Sequence, residues 1–420
     1  MRMDAPLTSP ITSPLNKPHG RIESIDVLRG LALFGIVVVN AWYFALPLEM
    51  ATGLNAQARD FDRFAIFVVS AFFQFKFISI FSILFGFGIA MQRSRLITQT
   101  GRSAGFLARR MIILGIFGLL HAFLLWYGDI LFQYAIVGLL MILLIQLSAK
   151  VRLVLGLACL VISMAAAFGF GLLDMMQVPE VRDPDLTLRG FAAMQAAGFN
   201  PADPVWMNAE TVAFRDGPFL DAFQFRSSIW MFGTVIFFLS YGWHVLGLVL
   251  VGSWFHDVGL FGPGRRRLLG NLAIWGVAIG LPVEILLTIG QLSGDFVPWV
   301  KAAMDAVHDL SATILALGII GLVGRACDAG RMPLASGLSS VGRMSLSAYI
   351  LESILFLSLV SFWGLRQFAA MGYLGLFVAS IAVYGIVATA CLLWLRRFRM
   401  GPLEWIWRTA TYLGRPATDP

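Results

Sequence analysis

Long apolar blocks alternate with short polar or charged segments along most of the chain. Each block holds about 20 residues, the length that a helix needs to cross the roughly 30 Å hydrocarbon core of a bilayer. The pattern therefore predicts an all-α fold, a polytopic membrane bundle of about ten transmembrane helices. We place the spans at residues 27–44, 77–91, 111–127, 130–147, 151–173, 229–255, 268–291, 297–323, 344–362 and 372–395.

The loops between these spans have two opposite characters. Basic residues follow the even-numbered spans, whereas the region 174–228 after the fifth span holds eight acidic residues against four arginines. Because basic loops stay in the cytoplasm, both termini are predicted to be cytoplasmic. The basic residues are Arg93, Arg95, Arg102, Arg109, Arg110, Lys150, Arg152, Arg265, Arg266, Arg267, Arg325, Arg331, Arg396, Arg397 and Arg399.

The same features divide the chain into five regions. We expect a disordered cytoplasmic tail over 1–20, a five-helix membrane part over 21–173, an extracytoplasmic loop or cap over 174–228, a second five-helix part over 229–400 and a cytoplasmic tail over 401–420. Prolines and Trp206 in the region 174–228 favour a folded cap, and an unstructured loop is the alternative that the sequence leaves open. No internal repeat is visible, which disfavours the inverted-repeat transporter folds.

Composition and charge narrow the class of protein. Of the 420 residues, 58% are hydrophobic and 13% are charged, and the mean hydropathy is +0.80. Since an ordinary soluble domain carries about 25% charged residues, a conventional soluble enzyme is excluded. The formal charge of +7 fits loops that face anionic lipid headgroups and gives no reason to expect nucleic acid. Cys159, Cys327 and Cys391 have no metal-ligand spacing, so no metal is expected.

An apolar segment, residues 61–75, directly precedes the second span. Together the two are too long for one perpendicular crossing. We therefore expect an interfacial or re-entrant helix, with Lys76 at the outer membrane boundary, where its long side chain can reach water.

Polar groups inside spans are candidate functional residues, because each costs a few kcal/mol unless it faces a partner or a cavity. Asp26 and Arg29 lie three positions apart on one helical face, and Asn40 follows Arg29 by eleven positions on nearly the same face. These residues either set helix depth and join helices, or belong to a site. His121 lies near the predicted midplane, either as a hydrogen-bonded core residue or as a proton acceptor.

Carboxylates inside the membrane form a second group of candidates. Glu284 and Glu352 are consistent with a general base, with a proton relay in a transporter or with interhelical hydrogen bonds, and the sequence leaves all three open. Asp305, His308 and Asp309 share one helical face, which would suit a metal ion or an acceptor site as well as a solvated first turn.

Five segments carry a family resemblance: residues 21–30 with Asn40, 81–86, 121–129, 341–347 and 401–408. Together they resemble the YeiB-like membrane proteins, which carry domain of unknown function 418, and the match runs from about Arg21 to Arg408. The resemblance implies a relationship to the transmembrane acyltransferases, which include acyltransferase-3 enzymes and the lysosomal heparan N-acetyltransferase.

In that wider group an arginine of the first helix precedes a polar residue by eleven positions, and Arg29 and Asn40 match the heparan-acetylating branch. That branch has its catalytic histidine shortly after the asparagine, whereas residues 41–59 here contain no histidine. The resemblance then implies that His121 takes the catalytic role, with Asn40 donating to the acyl carbonyl and Glu352 orienting the imidazole.

The resemblance further implies an acyl-CoA donor, most simply acetyl-CoA. Its phosphates would be bound by Arg29, Arg109, Arg110 and Arg343. The positive-inside rule explains these arginines equally well. We expect a multi-pass acyltransferase of the bacterial cytoplasmic (inner) membrane that modifies an extracytoplasmic glycan, lipid or secreted metabolite. The alternative is a proton-coupled transporter. Membrane lipids are the expected partners, and the large apolar faces would also permit a homodimer.

Overall fold

The computed structural model describes residues 23–52, 60–101, 103–174, 188–262, 264–294 and 297–412. The predicted tail 1–20 lies outside these ranges. The described chain is all-α, as predicted, and contains no strand. Its helices are α1 (Glu23–Ala45), α2 (Leu48–Thr52), α3 (Asp60–Phe72), α4 (Lys76–Thr100), α5 (Ala104–Leu124), α6 (Leu131–Leu144), α7 (Ala149–Asp174), α8 (Gly190–Ala196), α9 (Pro204–Asp216), α10 (Phe219–Leu239), α11 (Tyr241–Asp257), α12 (Arg266–Ser293), α13 (Pro298–Asp328), α14 (Ala335–Arg343), α15 (Ser345–Val360), α16 (Tyr373–Arg397) and α17 (Pro402–Tyr412).

Among the described residues, eight helical segments are long and apolar enough to cross a membrane. A ninth results if α14 and α15, which meet at a 93° bend, count as one span. Such a set of helices makes this a multi-pass membrane protein. Each predicted span coincides with at least one helix, while the number ten stays a prediction.

The structure corrects the sixth predicted span. The range 229–255 is not one helix, because the helix is interrupted at Ser240, between α10 and α11. The Ser240 backbone has a φ of −129° and a ψ of −91°, which interrupts the helical geometry. In addition, α10 begins at Phe219 and so includes the end of the region predicted as a loop. Hydropathy alone missed the break because both sides of Ser240 are apolar.

The described part of the predicted loop or cap is folded and packed. Asp203 caps α9 by accepting a hydrogen bond from the Val205 amide at 2.8 Å. On the same helix Glu210 is fully buried, and it accepts hydrogen bonds from the Trp206 indole at 3.1 Å and from the Leu48 amide at 3.3 Å. These contacts tie α9 to α2. Burial raises the pKa of the Glu210 carboxyl to about 8.

Two glycines set the distance between α1 and α14. A methyl group at Gly30 would overlap the backbone of Leu338, and one at Gly342 would overlap the backbone of Asp26. The two helices therefore approach almost backbone to backbone, as small residues allow in membrane bundles. This contact brings the first turns of α1 beside Arg343 at the end of α14.

Candidate functional site

A cavity of about 300 Å³ lies between α1, α4, α5, α6, the α14–α15 bend and α17. Its wall is largely apolar, and its polar residues are concentrated on a few helix faces. Such a mixed cavity between helices is the usual form of a small-molecule site in a helical bundle. The polar lining residues are Arg29, Asn40, Gln92, Arg110, Tyr134, Arg343, Ser345, Tyr349 and Glu404.

One end of the cavity is basic. Arg29 lines it from α1 and lies 3.9 Å from Asp26, which confirms the predicted pair. The Arg110 guanidinium lies 3.6 Å from the centre of the Trp407 ring, a cation–π contact. Arg343 donates to the Arg399 carbonyl at 3.2 Å, while its buried Nε has no hydrogen-bond partner within the described ranges. The structure thus brings together three of the four arginines that the resemblance singled out.

Arg109, the fourth, does not line the cavity. Its guanidinium donates to the Thr411 carbonyl at 3.3 Å. Neighbouring positions on an α-helix point about 100° apart, so Arg109 and Arg110 face different surroundings. The expectation that both arginines serve one site is corrected.

The other end of the cavity is reached along α1 and α5. Asn40 lines the cavity eleven positions after Arg29, which is about 16 Å along the helix axis. His121 likewise follows Arg110 by eleven positions on α5. The two helices run in the same direction, because Arg29 and Arg110 of their first turns line the same cavity and the Trp126 indole, just after α5, donates to the Tyr43 carbonyl near the end of α1 at 3.2 Å. Asn40 and His121 therefore lie at similar depth.

The C-terminal segment shapes the basic end. The Glu404 carboxylate accepts hydrogen bonds from the Leu346 amide at 2.8 Å and the Ser347 amide at 3.1 Å, and the Ser347 hydroxyl adds one at 2.6 Å. A carboxylate at a helix start satisfies free amides and the helix dipole. The Trp407 indole donates to the Arg110 carbonyl at 2.8 Å. The motif at 401–408 contributed to the family resemblance, but the sequence assigned it no role. In the structure it holds α15 and α5 in place.

His121 is buried in a chain of three side chains. Its Nδ1 lies 3.0 Å from Asp129 Oδ1, and its Nε2 lies 2.9 Å from Ser353 Oγ. The other oxygen of Asp129 accepts a hydrogen bond from the Phe132 amide at 2.9 Å. The imidazole is consequently held in one orientation by a fixed carboxylate, with its second nitrogen directed at a hydroxyl.

The structure corrects the role expected of Glu352. Asp129 and Ser353 occupy both ring nitrogens of His121, so Glu352 does not orient the imidazole. Glu352 precedes Ser353 on α15, and the 100° step between neighbours turns it to another side of the helix. There it is buried, and its Oε1 has no hydrogen-bond partner among the residues that the structure describes.

A thin wall separates His121 from the cavity. Gly128 and Tyr349 line the cavity, whereas His121, Asp129 and Ser353 do not. The Tyr349 ring centre lies 5.1 Å from that of His121, and its hydroxyl lies 3.5 Å from the Gly128 carbonyl oxygen. The sequence did not single out Asp129 or Ser353 as partners of His121. For Asp129 a signal was present, because it is a carboxylate eight positions after an intramembrane histidine.

A second buried polar cluster lies apart from the cavity. Lys76 is fully buried and pairs with Glu284, and its Nζ also donates to the Ser70 carbonyl at 2.7 Å. His308 Nε2 lies 2.9 Å from the same Glu284 carboxylate, and the Ser311 hydroxyl donates to that carboxylate as well. The predicted snorkelling of Lys76 is wrong, since these partners stabilise the ammonium inside the bundle.

The face formed by Asp305, His308 and Asp309 is only partly solvated. His308 and Asp309 are buried, whereas Asp305 is exposed and accepts a hydrogen bond from the Gln291 side chain at 2.6 Å. No group of three or more metal-binding side chains in metal-site geometry occurs in the described ranges. The buried His308 packs against Lys76 of α4 and Glu284 of α12.

A family model and several known proteins match this chain. The family model described as "Protein of unknown function (DUF418)" matches residues 254–414. The chain is 27% identical to the uncharacterized protein YxaH of Bacillus subtilis, over 94% of each chain. It is 27% identical to the uncharacterized protein YeiB of Escherichia coli, over 92% of this chain and 95% of YeiB.

A third relative is the uncharacterized 39.9 kDa protein in the amylase 3′ region of Bacillus acidopullulyticus, which is 29% identical over 93% of this chain and 94% of the relative. The fold is that of a multi-pass helical membrane protein. Within that class, the DUF418 match over residues 254–414 and the similarity to YxaH and YeiB along more than nine tenths of the chain support the resemblance to the YeiB-like DUF418 proteins.

Proposed function

We propose that this protein is an integral membrane acyltransferase, which moves an acyl group from acyl-CoA to an acceptor on the opposite side of the membrane. One observation carries the proposal: a single cavity combines three arginines at one end with Asn40 about 16 Å further along, and the His121–Asp129 pair lies behind its wall at the same depth. The localisation that follows is the bacterial cytoplasmic membrane, with the basic end towards the cytoplasm.

The shape of the cavity suits the donor. Acyl-CoA has a phosphorylated nucleotide at one end, followed by a narrow uncharged arm that ends in the thioester. Arg29, Arg110 and Arg343 would bind phosphate oxygens, for which guanidinium groups are well matched. At about 300 Å³ the cavity accommodates the arm and a short acyl group, so the nucleotide stays at its mouth. An acetyl group is therefore the preferred acyl group.

The deep end supplies the chemistry. The Asn40 amide would donate a hydrogen bond to the thioester oxygen, where negative charge develops during attack. His121 would act as the general base, because Asp129 orients the ring and stabilises its protonated form. The proton that His121 accepts finally leaves on the thiol of CoA. Since the reaction occurs inside the membrane, neither substrate has to cross it completely.

Calorimetric titration of detergent-purified protein with acetyl-CoA tests the donor site. We expect saturable binding that Arg110→Ala weakens about tenfold or more, because a charge-assisted contact to phosphate is lost. Arg109→Ala is the matched control: it removes the same charge from the adjacent position, which does not line the cavity. Absence of binding to folded, monodisperse wild-type protein would refute the proposal.

A second candidate function is proton-coupled transport, and the Lys76–Glu284–His308 cluster favours it. Ionisable groups buried between membrane helices are a common feature of proton pathways. Protein reconstituted in liposomes would then conduct protons under an imposed pH gradient, and Glu284→Gln would abolish the flux. Glu23→Gln, at the exposed start of α1, serves as control. Proton-tight liposomes with wild-type protein would exclude an uncoupled proton pathway through this cluster.

A further inference from the structure

The hydroxyl of Ser353 completes an arrangement with a specific chemical capacity. Asp129, His121 and Ser353 form an acid–imidazole–hydroxyl chain, with heavy-atom distances of 3.0 Å and 2.9 Å at its two links. With Nδ1–H donating to Asp129, His121 Nε2 is left to accept the hydroxyl proton, for which the Tyr349 carbonyl, 3.1 Å from Ser353 Oγ, is the alternative acceptor. This is the geometry by which a histidine activates a hydroxyl for nucleophilic attack.

The arrangement is assembled from distant parts of the chain. His121 lies near the end of α5, Asp129 follows in the connection to α6, and Ser353 comes from α15, 232 positions after His121. All three side chains are buried. Two neutral partners would satisfy both nitrogens of a buried imidazole, whereas a carboxylate inside a membrane bundle carries an extra desolvation cost. The presence of Asp129 therefore points to a histidine that becomes protonated during a reaction.

Ser353 also lies on the helix face that forms the cavity wall. Ser345, Tyr349 and Ser353 recur at intervals of four residues, so they share one side of α15. Ser345 and Tyr349 line the cavity, and Ser353 is one turn, about 6 Å, further along the same face. The Tyr349 ring lies between the cavity and His121. Rotation of that ring is the movement that would join the cavity to Ser353.

We propose that Ser353 is the nucleophile of the transfer and carries the acyl group as an ester between donor and acceptor. This inference rests on the proposed acyltransferase function. Ser353 Oγ attacks the thioester carbonyl carbon while its proton passes to His121 Nε2. The carbon–sulfur bond breaks, and CoA leaves as a thiol with the proton from His121.

The acceptor completes the cycle. Its hydroxyl or amine gives a proton to His121 and attacks the carbonyl carbon of the Ser353 ester. The bond to Ser353 Oγ breaks, and that oxygen recovers its proton from His121. Donor and acceptor thus occupy the site in turn, which removes the need for both to fit in a cavity of about 300 Å³ at once.

Acetyl-CoA without acceptor provides the test. Wild-type protein should release one CoA per polypeptide in a rapid burst, and the peptide that contains Ser353 should gain the mass of one acetyl group after acid quenching. Ser353→Ala should retain acetyl-CoA binding yet lose the burst, the label and transfer, the last by about 1,000-fold or more. Ser358→Ala, on the same helix but away from the chain of three residues, should behave as wild type.

Ser353→Cys distinguishes loss of the nucleophile from misfolding. Its thiol should form an acetyl thioester that neutral hydroxylamine cleaves. Wild-type transfer rates in Ser353→Ala would overturn the nucleophile while the acyltransferase function stands. Failure of the wild-type protein to bind acetyl-CoA would instead overturn both. The two failures are therefore distinguishable.

Discussion

His121 and Asp129 are only eight positions apart, yet they meet because the helix between them ends. The Nδ1 of His121 lies 3.0 Å from Asp129 Oδ1, a contact made possible by the end of α5 at Leu124 and the return of the chain towards α6. In a continuous helix the two residues would be separated by about 12 Å along the axis. The break in the helix thus creates the buried acid–imidazole pair on which the proposed chemistry depends.

Replacing this acid by its amide should disable the histidine without changing its shape. Asp129→Asn is expected to lower acyl transfer by about 100- to 10,000-fold, because the amide permits the wrong imidazole tautomer and no longer stabilises the protonated ring. Acetyl-CoA binding should be unchanged, since Asp129 does not line the cavity. Initial rates with labelled acetyl-CoA, together with calorimetric titration, measure the two effects.

Glu352→Gln is the informative comparison for that variant. Both substitutions convert a buried acid to an amide, but only Asp129 contacts His121. The loss should therefore be much smaller for Glu352→Gln. If Glu352→Gln were the more damaging change, the orienting role would return to Glu352.

The close approach of α1 and α14 gives a prediction about stability. Gly342→Ala should destabilise the protein by about 1–3 kcal/mol, because the added methyl group overlaps the Asp26 backbone and forces the helices apart. The same displacement should weaken acetyl-CoA binding, since Arg29 and Arg343 would move apart. Thermal unfolding in detergent measures the first effect.

Gly385→Ala is the matched control, because nothing in the described structure lies within 4 Å of a methyl group at that position of α16. It should leave the melting temperature unchanged or raise it, since alanine favours a helix over glycine by about 1 kcal/mol. Equal melting temperatures for Gly342→Ala and wild type would contradict the close contact.

The sequence was a sufficient guide to the fold class because hydropathy reports membrane burial directly. It predicted an all-α membrane bundle and the Asp26–Arg29 pair, and the resemblance singled out Arg29, Asn40, Arg110 and Arg343, which all line one cavity. Each of these groups lies on a helix whose direction and period are readable from the apolar pattern.

Side-chain partners from distant segments were not predictable in this way. Whether His121 meets Glu352 or Ser353 depends on a rotation of α15 by about 100°, which no hydropathy pattern specifies. The burial of Lys76 depends on Glu284, 208 positions later. In both cases the partner depends on how two helices pack against each other. An apolar pattern shows which face of a helix meets lipid or the core, but it does not show how the helix is rotated or shifted relative to its neighbour.

The carboxyl of Glu210 predicts a pH dependence of stability. Its pKa in the folded protein is raised to about 8, against 4.5 for the free side chain. Between these values the folded state holds a proton that the unfolded state has lost, so the free energy of unfolding falls as the pH rises from about 4.5 to about 8. Below that window the stabilisation is fully present, and above it no further change comes from this group.

Glu210→Gln should remove this component, because the amide does not ionise. As the pH rises from about 4.5 to about 8, the melting temperature of the variant should therefore rise relative to that of the wild type. Subtracting the two profiles cancels the contributions of all other groups. A constant difference from pH 4.5 to 8 would show that Glu210 keeps an ordinary pKa.

The Lys76–Glu284 pair should behave as a coupled unit. Lys76→Met alone is expected to cost about 3–5 kcal/mol of stability, because it leaves the buried Glu284 carboxylate without its main counter-charge. Glu284→Leu alone should cost a similar amount. The double variant should be far more stable than the sum of the single changes implies, since no unpaired charge remains. Chemical unfolding of the four proteins in detergent gives the coupling energy, and strict additivity would mean that the two side chains do not interact within the bundle.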